Sequence, residues 1–79
     1  MTEQEANQES EKYQTLVGKY FESNRRKDKY IVENIRAFEN PFEANKFLVH
    51  VEFRRLDEQK AIIDSLNFFL NEYSQINHE

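Results

Sequence analysis

The residues of this sequence best suited to chemistry are its two histidines, His50 and His78. A zinc or di-iron site on a helix would need a histidine or glutamate at helical spacing from His50, but the residues four positions away are Lys46 and Arg54. Both are cations and would repel a metal ion. His50 also lacks the small neighbours that let a phosphate donor approach a phosphoacceptor histidine. We therefore interpret His50 as a helix-surface or interface residue, and we assign no role to His78.

The other residue types used in catalysis give no recognisable site. Carboxylates are abundant, but general acid–base pairs need a cleft that shifts their pKa values. A single glycine excludes a glycine-rich phosphate loop, and the absence of cysteine excludes a thiolate nucleophile, disulfides and a cysteine-based zinc site. The serines have no triad-like companions (Ser23, Ser65, Ser74). The sequence therefore predicts no enzyme, no cofactor and no metal site.

A basic segment, residues 25–29, is the candidate for binding a polyanion. Its cations are Arg25, Arg26, Lys27 and Lys29. Aromatic residues flank the segment, so it could grip a nucleic-acid backbone while a ring packs against a sugar or base. Alternatively, these cations stay solvated or pair with the acidic residues 57–58 across a hairpin. The net charge of −4 argues modestly against general affinity for polyanions.

The elements that would position these residues are predicted from a strong helix-start signal at residues 40–43. Asn40 can cap a helix, Pro41 suits its first position, and Glu43 can complete a capping-box-like start. Apolar residues then recur at the spacing of three and four that is typical of a helix. They are Ala44, Phe47, Leu48, Val51, Ile62, Leu66, Phe69, Leu70, Tyr73 and Ile76. This pattern predicts one long helix, or two nearly collinear helices, over residues 40–76.

A first helical arm is predicted before Asn40. Its apolar residues are Tyr13, Leu16, Val17, Tyr20 and Phe21, followed beyond the polar segment by Ile31, Ile35 and Phe38. Gly18 lies within this pattern, and we interpret it as a site of close helix packing. Residues 1–10 are polar and acidic, so we expect a disordered tail there and a single helical domain over residues 11–77.

The two arms together predict an all-α fold, either an antiparallel helical hairpin or a three-helix bundle. The second arm carries a further apolar face that a two-helix hairpin cannot bury, namely Phe42, Val49, Phe53, Leu56 and Ile63. We therefore expect a homodimer that completes a four-helix bundle or coiled coil, with the first four of these residues as the protein interface. The alternative is helix–strand–strand–helix, because residues 29–38 and 46–53 also alternate, with 39–45 as the connecting loop.

The amino-acid composition limits where in the cell the protein is expected and which class of function it is expected to have. The chain has 79 residues, of which 38% are hydrophobic and 33% charged, and no apolar run approaches the length of a membrane span. The first residues are acidic rather than basic and apolar, so we expect neither export nor membrane insertion, and a cytoplasmic location. The predicted function is a non-enzymatic protein–protein interaction module that acts as a small regulator, inhibitor or assembly adaptor. The alternative is a small nucleic-acid-binding regulator.

Overall fold

The computed structural model describes residues 1–77 and shows an α+β fold, a five-stranded antiparallel sheet with two α-helices. In chain order its elements are α1 (Glu3–Lys12), a 3-10 helix (Gln14–Leu16), β1 (Tyr20–Ser23), β2 (Lys29–Glu39), β3 (Phe47–Arg55), β4 (Ala61–Ser65), α2 (Leu66–Glu72) and β5 (Tyr73–Ile76). The strand order in the sheet is β4-β3-β2-β1-β5. The predicted all-α architecture, with its helical bundle and coiled coil, is therefore wrong.

The hairpin of β2 and β3 is the centre of the sheet, and a β-bulge explains why its sequence imitates a helix. Tyr30 and Val32 face the core, but the register shifts between Val32 and Asn34, so that Ile35 faces the core next. The extra residue puts Val32 and Ile35, three positions apart, on one face, while Ile31 and Phe38 lie on the other face. The predicted helix stripe of Ile31, Ile35 and Phe38 therefore combined residues from both faces of the strand. The alternative of helix–strand–strand–helix has this hairpin in the right place but lacks β1, β4 and β5.

The expected helix start at Asn40-Pro41 is a loop that joins β2 to β3. The Asn40 side-chain oxygen accepts a hydrogen bond from the Phe42 N–H at 2.9 Å, and the Asn40 N–H donates to the Lys46 carbonyl at 2.7 Å. Asn45 has a φ of 63°, in the left-handed region that asparagine tolerates. Asparagine followed by proline is common in turns as well as at helix N-termini. Here the chain must form a turn, because the strands on both sides of it pair with each other.

Helix α1 occupies most of the segment that we expected to be a disordered tail. Thr2 and Glu5 form a capping box, in which the Glu5 N–H donates to the Thr2 hydroxyl and the Thr2 N–H donates to the Glu5 carboxylate. Hydrogen bonding of the Glu5 carboxylate by the Thr2 N–H, and to a smaller extent by the Thr2 side chain, holds the pKa of Glu5 below its usual value. Ala6 and Ser10 are buried against the sheet, and the Ser10 hydroxyl donates to the Ile35 carbonyl at 3.2 Å. Two small residues on one face therefore dock this polar helix.

The core lies between the helices and one face of the sheet and is largely aromatic. The Phe53 ring has its centroid 4.7 Å from that of Phe69, 5.2 Å from that of Tyr73 and 5.5 Å from that of Tyr30. Phe21 lies 4.8 Å from Phe69 in an edge-to-face arrangement. Such pairs are stabilising beyond the area they bury. Phe69 thereby fixes α2 over the sheet. In the chain, α2 follows β4 and precedes β5.

The short strand β1 replaces part of the first predicted helix. Gly18 has a φ of +85°, and nothing lies within 4 Å of the position that a Cβ atom would occupy. Its N–H donates to the Val32 carbonyl at 2.8 Å, so the glycine turns the chain into β1 rather than allowing a close helix contact. The interpretation of Gly18 as a packing site is therefore wrong.

Within residues 1–77, neither helix has the length and apolar content needed to cross a membrane.

Candidate protein-binding edge

Strand β4 forms one edge of the sheet, and its exposed side chains are apolar. It pairs with β3 on one side, and no strand within residues 1–77 pairs with the other side. Ile62 is 39% exposed and Ile63 is 53% exposed, on opposite faces of the strand. Natural edge strands are usually protected by lysine, proline or a bulge. The apolar part of β4, residues 61–63, has none of these, so its outer edge can accept another strand.

The other edge of the sheet, β5, differs in chemistry. Its exposed side chains are Ser74 and Gln75, and the Ser74 hydroxyl donates to the Asn24 side-chain oxygen at 2.7 Å. The Asn24 N–H also donates to the Glu72 carbonyl at 3.0 Å, which ties the loop after β1 to the end of α2. Polar side chains at an edge gain little when a partner covers them, because they exchange water for other polar contacts. The apolar edge, β4, is therefore the stronger candidate for pairing.

Both ends of β4 carry a charged residue without an ion-pair partner among residues 1–77. Lys60 precedes the strand and is exposed. Asp64, near the other end, accepts a hydrogen bond from the Ser65 N–H at 2.8 Å but makes no salt bridge with the described residues. Ser65 then caps α2 by accepting from the Phe68 N–H at 3.1 Å. The edge strand is thus short and apolar at its centre, with an unpaired cation and an unpaired anion at its ends.

A groove of about 370 Å³ lies beside β4, and two cations of the basic segment line it. Arg25 is 3.9 Å from Glu72, a distant and exposed pair, whereas Arg26 has no salt bridge to any residue in 1–77. The other lining residues are Ser23, Tyr30, Ile62, Phe68, Glu72 and Tyr73. The groove therefore combines cations with exposed and half-buried rings.

Tyr73 lines this groove and has a raised pKa. Burial raises the pKa of Tyr73 above its usual value, and the nearby Tyr30, which is also hydrogen-bonded to it, raises it further. The opposing effect of the Arg26 cation is smaller. The Tyr73 phenol is therefore neutral at physiological pH and acts as a hydrogen-bonding group rather than an anion.

The basic segment does not form a single patch. Lys27 and Lys29 line a separate hollow with Arg55 and Asp28, away from the groove that holds Arg25 and Arg26. Within residues 1–77 no salt bridge joins the cations of this segment to residues 57–58, and it is Arg55 that lies 2.8 Å from Asp57 and 3.9 Å from Glu58. The structure thus divides the four candidate cations into two separate pairs.

The four residues expected to form one protein interface are separated. Phe53 is 1% exposed and Val49 is 6% exposed, both in the core, whereas Phe42 is 93% exposed in the loop between β2 and β3. Leu56 is half-buried beyond the opposite end of β3. Side chains as buried as Val49 and Phe53 present no surface to a partner in this conformation. Contact of Phe42 or Leu56 with another protein stays a prediction.

The sequence pattern placed Ile62 on the main helix stripe and Ile63 on the further apolar face of the same helix, whereas both are exposed on a strand. The signal was present in the run Ala61-Ile62-Ile63, which follows the polar residues 57–60 and ends at an aspartate and a serine. A short run rich in β-branched residues between turn signals is typical of a strand. Nothing in the run itself distinguishes an edge strand from a central one, since that depends on which strands its neighbours pair with.

His50 lies on the sheet face opposite the helices and not on a helix. Its ring packs edge-to-face on Phe38 at a centroid distance of 4.4 Å, and the Arg36 guanidinium lies 5.0 Å from the Phe38 ring. The buried Nδ1 of His50 has no hydrogen-bond partner within residues 1–77. The hollow beside it, about 10 Å³, is about the size of one water molecule. Within the described chain no three histidine, aspartate or glutamate residues are grouped so as to hold a metal ion.

Comparison of the chain with models of known protein families, with curated protein sequences and with solved structures finds no match. Function is therefore inferred from the residues of this chain alone.

Proposed function

We propose that this chain is a non-enzymatic protein-binding module that binds an extended segment of another polypeptide at the outer edge of β4. The observation that carries the proposal is this edge itself, which is unpaired within residues 1–77 and exposes Ile62 and Ile63. In this mode the main-chain groups of the incoming strand pair with those of β4, while side chains on both faces supply specificity. A module of this kind acts as a small regulator, inhibitor or assembly adaptor.

The free energy of binding available at this edge is modest and comes mainly from burial of apolar side chains. Full burial of an isoleucine side chain stabilises by about 1.5–3 kcal/mol, so covering the remaining exposed part of Ile62 or Ile63 contributes about 1 kcal/mol each. Main-chain hydrogen bonds add to this, less the cost of ordering the incoming segment. Binding through this edge is therefore reversible and sensitive to single substitutions on β4.

A displayed library of short random peptides tests the proposal directly. We expect selected peptides to be rich in β-branched residues, and we expect their binding to slow amide hydrogen exchange in β4. Ile63→Lys should abolish this binding, because a lysine on an apolar edge opposes strand pairing. Leu48→Lys is the matched control, since it puts the same charge at a position of similar exposure, 43%, on β3 and outside its pairing with β4.

Two results would contradict strand addition at β4. One is a set of selected peptides whose binding Ile63→Lys and Leu48→Lys weaken equally. The other is binding that leaves hydrogen exchange in β4 unchanged and protects another segment.

A second candidate function, nucleic-acid binding, is favoured by the groove that places Arg25 and Arg26 beside Phe68. The ring of Phe68 is 47% exposed and can stack on a base while the guanidinium groups contact phosphates. Fluorescence anisotropy with a labelled single-stranded oligonucleotide tests this. We expect salt-sensitive binding that Arg26→Glu abolishes and Lys27→Glu, in the separate hollow, reduces less. Absence of binding at low salt would eliminate this candidate.

A cytoplasmic location belongs to the same proposal. It is supported by the absence of cysteine from the sequence, which is common in proteins that do not rely on disulfides. Fractionation of cells that produce the tagged chain tests it, and recovery of the chain in an extracellular or membrane fraction would contradict it.

A further inference from the structure

We infer that the strand that pairs with β4 is β4 of a second copy of this chain, in antiparallel orientation. This inference rests on the proposed strand addition and names its partner. The two five-stranded sheets would then join edge to edge into one continuous sheet. The argument for a second copy comes from which residues the two strands place opposite each other.

The symmetry of such a pair restricts its register. A two-fold axis normal to the sheet keeps the same face of both copies on the same side, so residues opposite each other must come from the same face. One residue of β4 must therefore lie opposite the same residue of the partner, with the axis midway between the two. For a strand that spans residues 61–65, the register centred on Ile63 pairs all of its residues, whereas the registers centred on Ile62 and on Asp64 overlap less. The register centred on Asp64 is unfavourable because it places this carboxylate opposite the partner's Asp64.

The register centred on Ile62, when it extends one residue beyond β4 to Lys60, is complementary at every position from 60 to 64. It places Lys60 opposite the partner's Asp64, and this charge pair occurs twice because of the symmetry. Ile62 lies opposite the partner's Ile62 on the same face, and on the other face Ala61 lies opposite the partner's Ile63. Opposite charges and paired apolar side chains are the cross-strand combinations that stabilise a sheet.

The register centred on Ile63 is poorly complementary. It places Ile62 opposite the partner's Asp64, an apolar side chain against a carboxylate, and Ala61 opposite the partner's Ser65. It also leaves Lys60 outside the strand pairing. Because Lys60 and Asp64 have no salt bridge within residues 1–77, the register centred on Ile62 gives both charges their first partner.

The pattern identifies the partner because it is self-complementary. Read in one direction, residues 60–64 present a cation, an isoleucine and an anion on one face, and the same strand read in the opposite direction presents the anion, the isoleucine and the cation. An unrelated strand would match this pattern only if its own sequence had the same order. A second copy has this pattern by construction, and such a copy is available wherever the chain is produced.

Charge reversal at these two positions tests the inference, with association measured by sedimentation equilibrium at low salt across a wide range of concentration. Lys60→Asp alone puts anions opposite anions, and Asp64→Lys alone puts cations opposite cations. We expect each to weaken dimerisation about tenfold or more, because each changes two attractive pairs into two repulsive ones. The double variant should restore wild-type dimerisation.

Mixing the two single variants gives the sharpest result. In the mixed pair one copy carries two anions on this face and the other carries two cations, so both cross-strand pairs are again attractive. We expect the mixture to form a heterodimer with nearly wild-type affinity. This rescue requires contact between two chains, so it cannot arise from misfolding of either variant, and circular dichroism of each variant checks its fold.

Several outcomes would overturn the inference. A wild-type chain that stays monomeric at every concentration would do so, as would a dimer whose affinity neither charge reversal changes. A dimer weakened by both single changes but rescued neither by the double variant nor by mixing would reject the register centred on Ile62. If the chain is monomeric but selected peptides still protect β4, the second copy is excluded and the proposed strand addition stands.

Discussion

Phe53 tests whether the aromatic cluster holds this fold together, because it lies at the centre of the cluster. The side chain is 1% exposed and contacts the rings of Tyr30, Phe69 and Tyr73. We predict that Phe53→Ala destabilises the fold strongly. The substitution removes buried apolar area, leaves a cavity under α2 and deletes three ring contacts at once.

The expected magnitude follows from these contacts. Replacing a buried phenylalanine by alanine costs about 3–5 kcal/mol, and three ring contacts place Phe53 in the upper part of that range, at about 4–5 kcal/mol. A chain of this length has a free energy of unfolding of roughly 4–12 kcal/mol. The variant should therefore be close to its unfolding transition in the absence of denaturant.

Urea denaturation followed by circular dichroism measures this loss. The protein concentration should be held constant, because unfolding of a self-associating chain depends on it. Phe53→Leu is the control, since it keeps most of the volume and apolar character and should cost about 1.5 kcal/mol or less. A Phe53→Ala variant that loses less than about 1 kcal/mol yet dissociates from a partner would refute the core assignment and return Phe53 to an interface.

Two further predictions address α1 and the tyrosine pair. Thr2→Ala should lower the free energy of unfolding by about 1 kcal/mol in urea denaturation, because it removes the capping box of α1; no change would indicate that residues 1–10 form a disordered tail. The raised pKa of Tyr73 means that the folded chain holds this proton more tightly than the unfolded chain, so stability is unaffected below about pH 10 and falls above it. Thermal unfolding should show that Tyr73→Phe reduces this fall, and an unchanged slope would contradict the prediction.

The sequence misled on fold class at identifiable places. Ile31, Ile35 and Phe38 had helical spacing, but the bulge between Val32 and Asn34 puts Ile35 on the core face of β2 and leaves the other two on the opposite face. Asn40-Pro41 has the chemistry of both a helix cap and a turn, and local sequence does not choose between them. Tertiary pairing of β2 with β3 made the choice here, and such pairing is not encoded in any single segment.

The apparent helix over residues 61–76 had a different physical origin. Three short elements follow one another there, β4, α2 and β5, and only α2 has helical spacing of its apolar residues, Leu66 and Phe69. When the apolar residues of the two strands and of the helix are read together, they form a nearly continuous stripe at helical spacing. The candidate edge could not be predicted for the same reason, because exposure of Ile62 and Ile63 follows from the strand order of the sheet and not from the local pattern.

The most direct test of the proposed edge is amide hydrogen exchange of residues 61–65 in the wild-type chain at low and high protein concentration. If β4 pairs with a second copy, the amides that face away from β3 should exchange rapidly in dilute solution and more slowly in concentrated solution, while exchange in β3 stays constant. Exchange rates in β4 that are the same at both concentrations, although the chain self-associates, would contradict pairing through this edge.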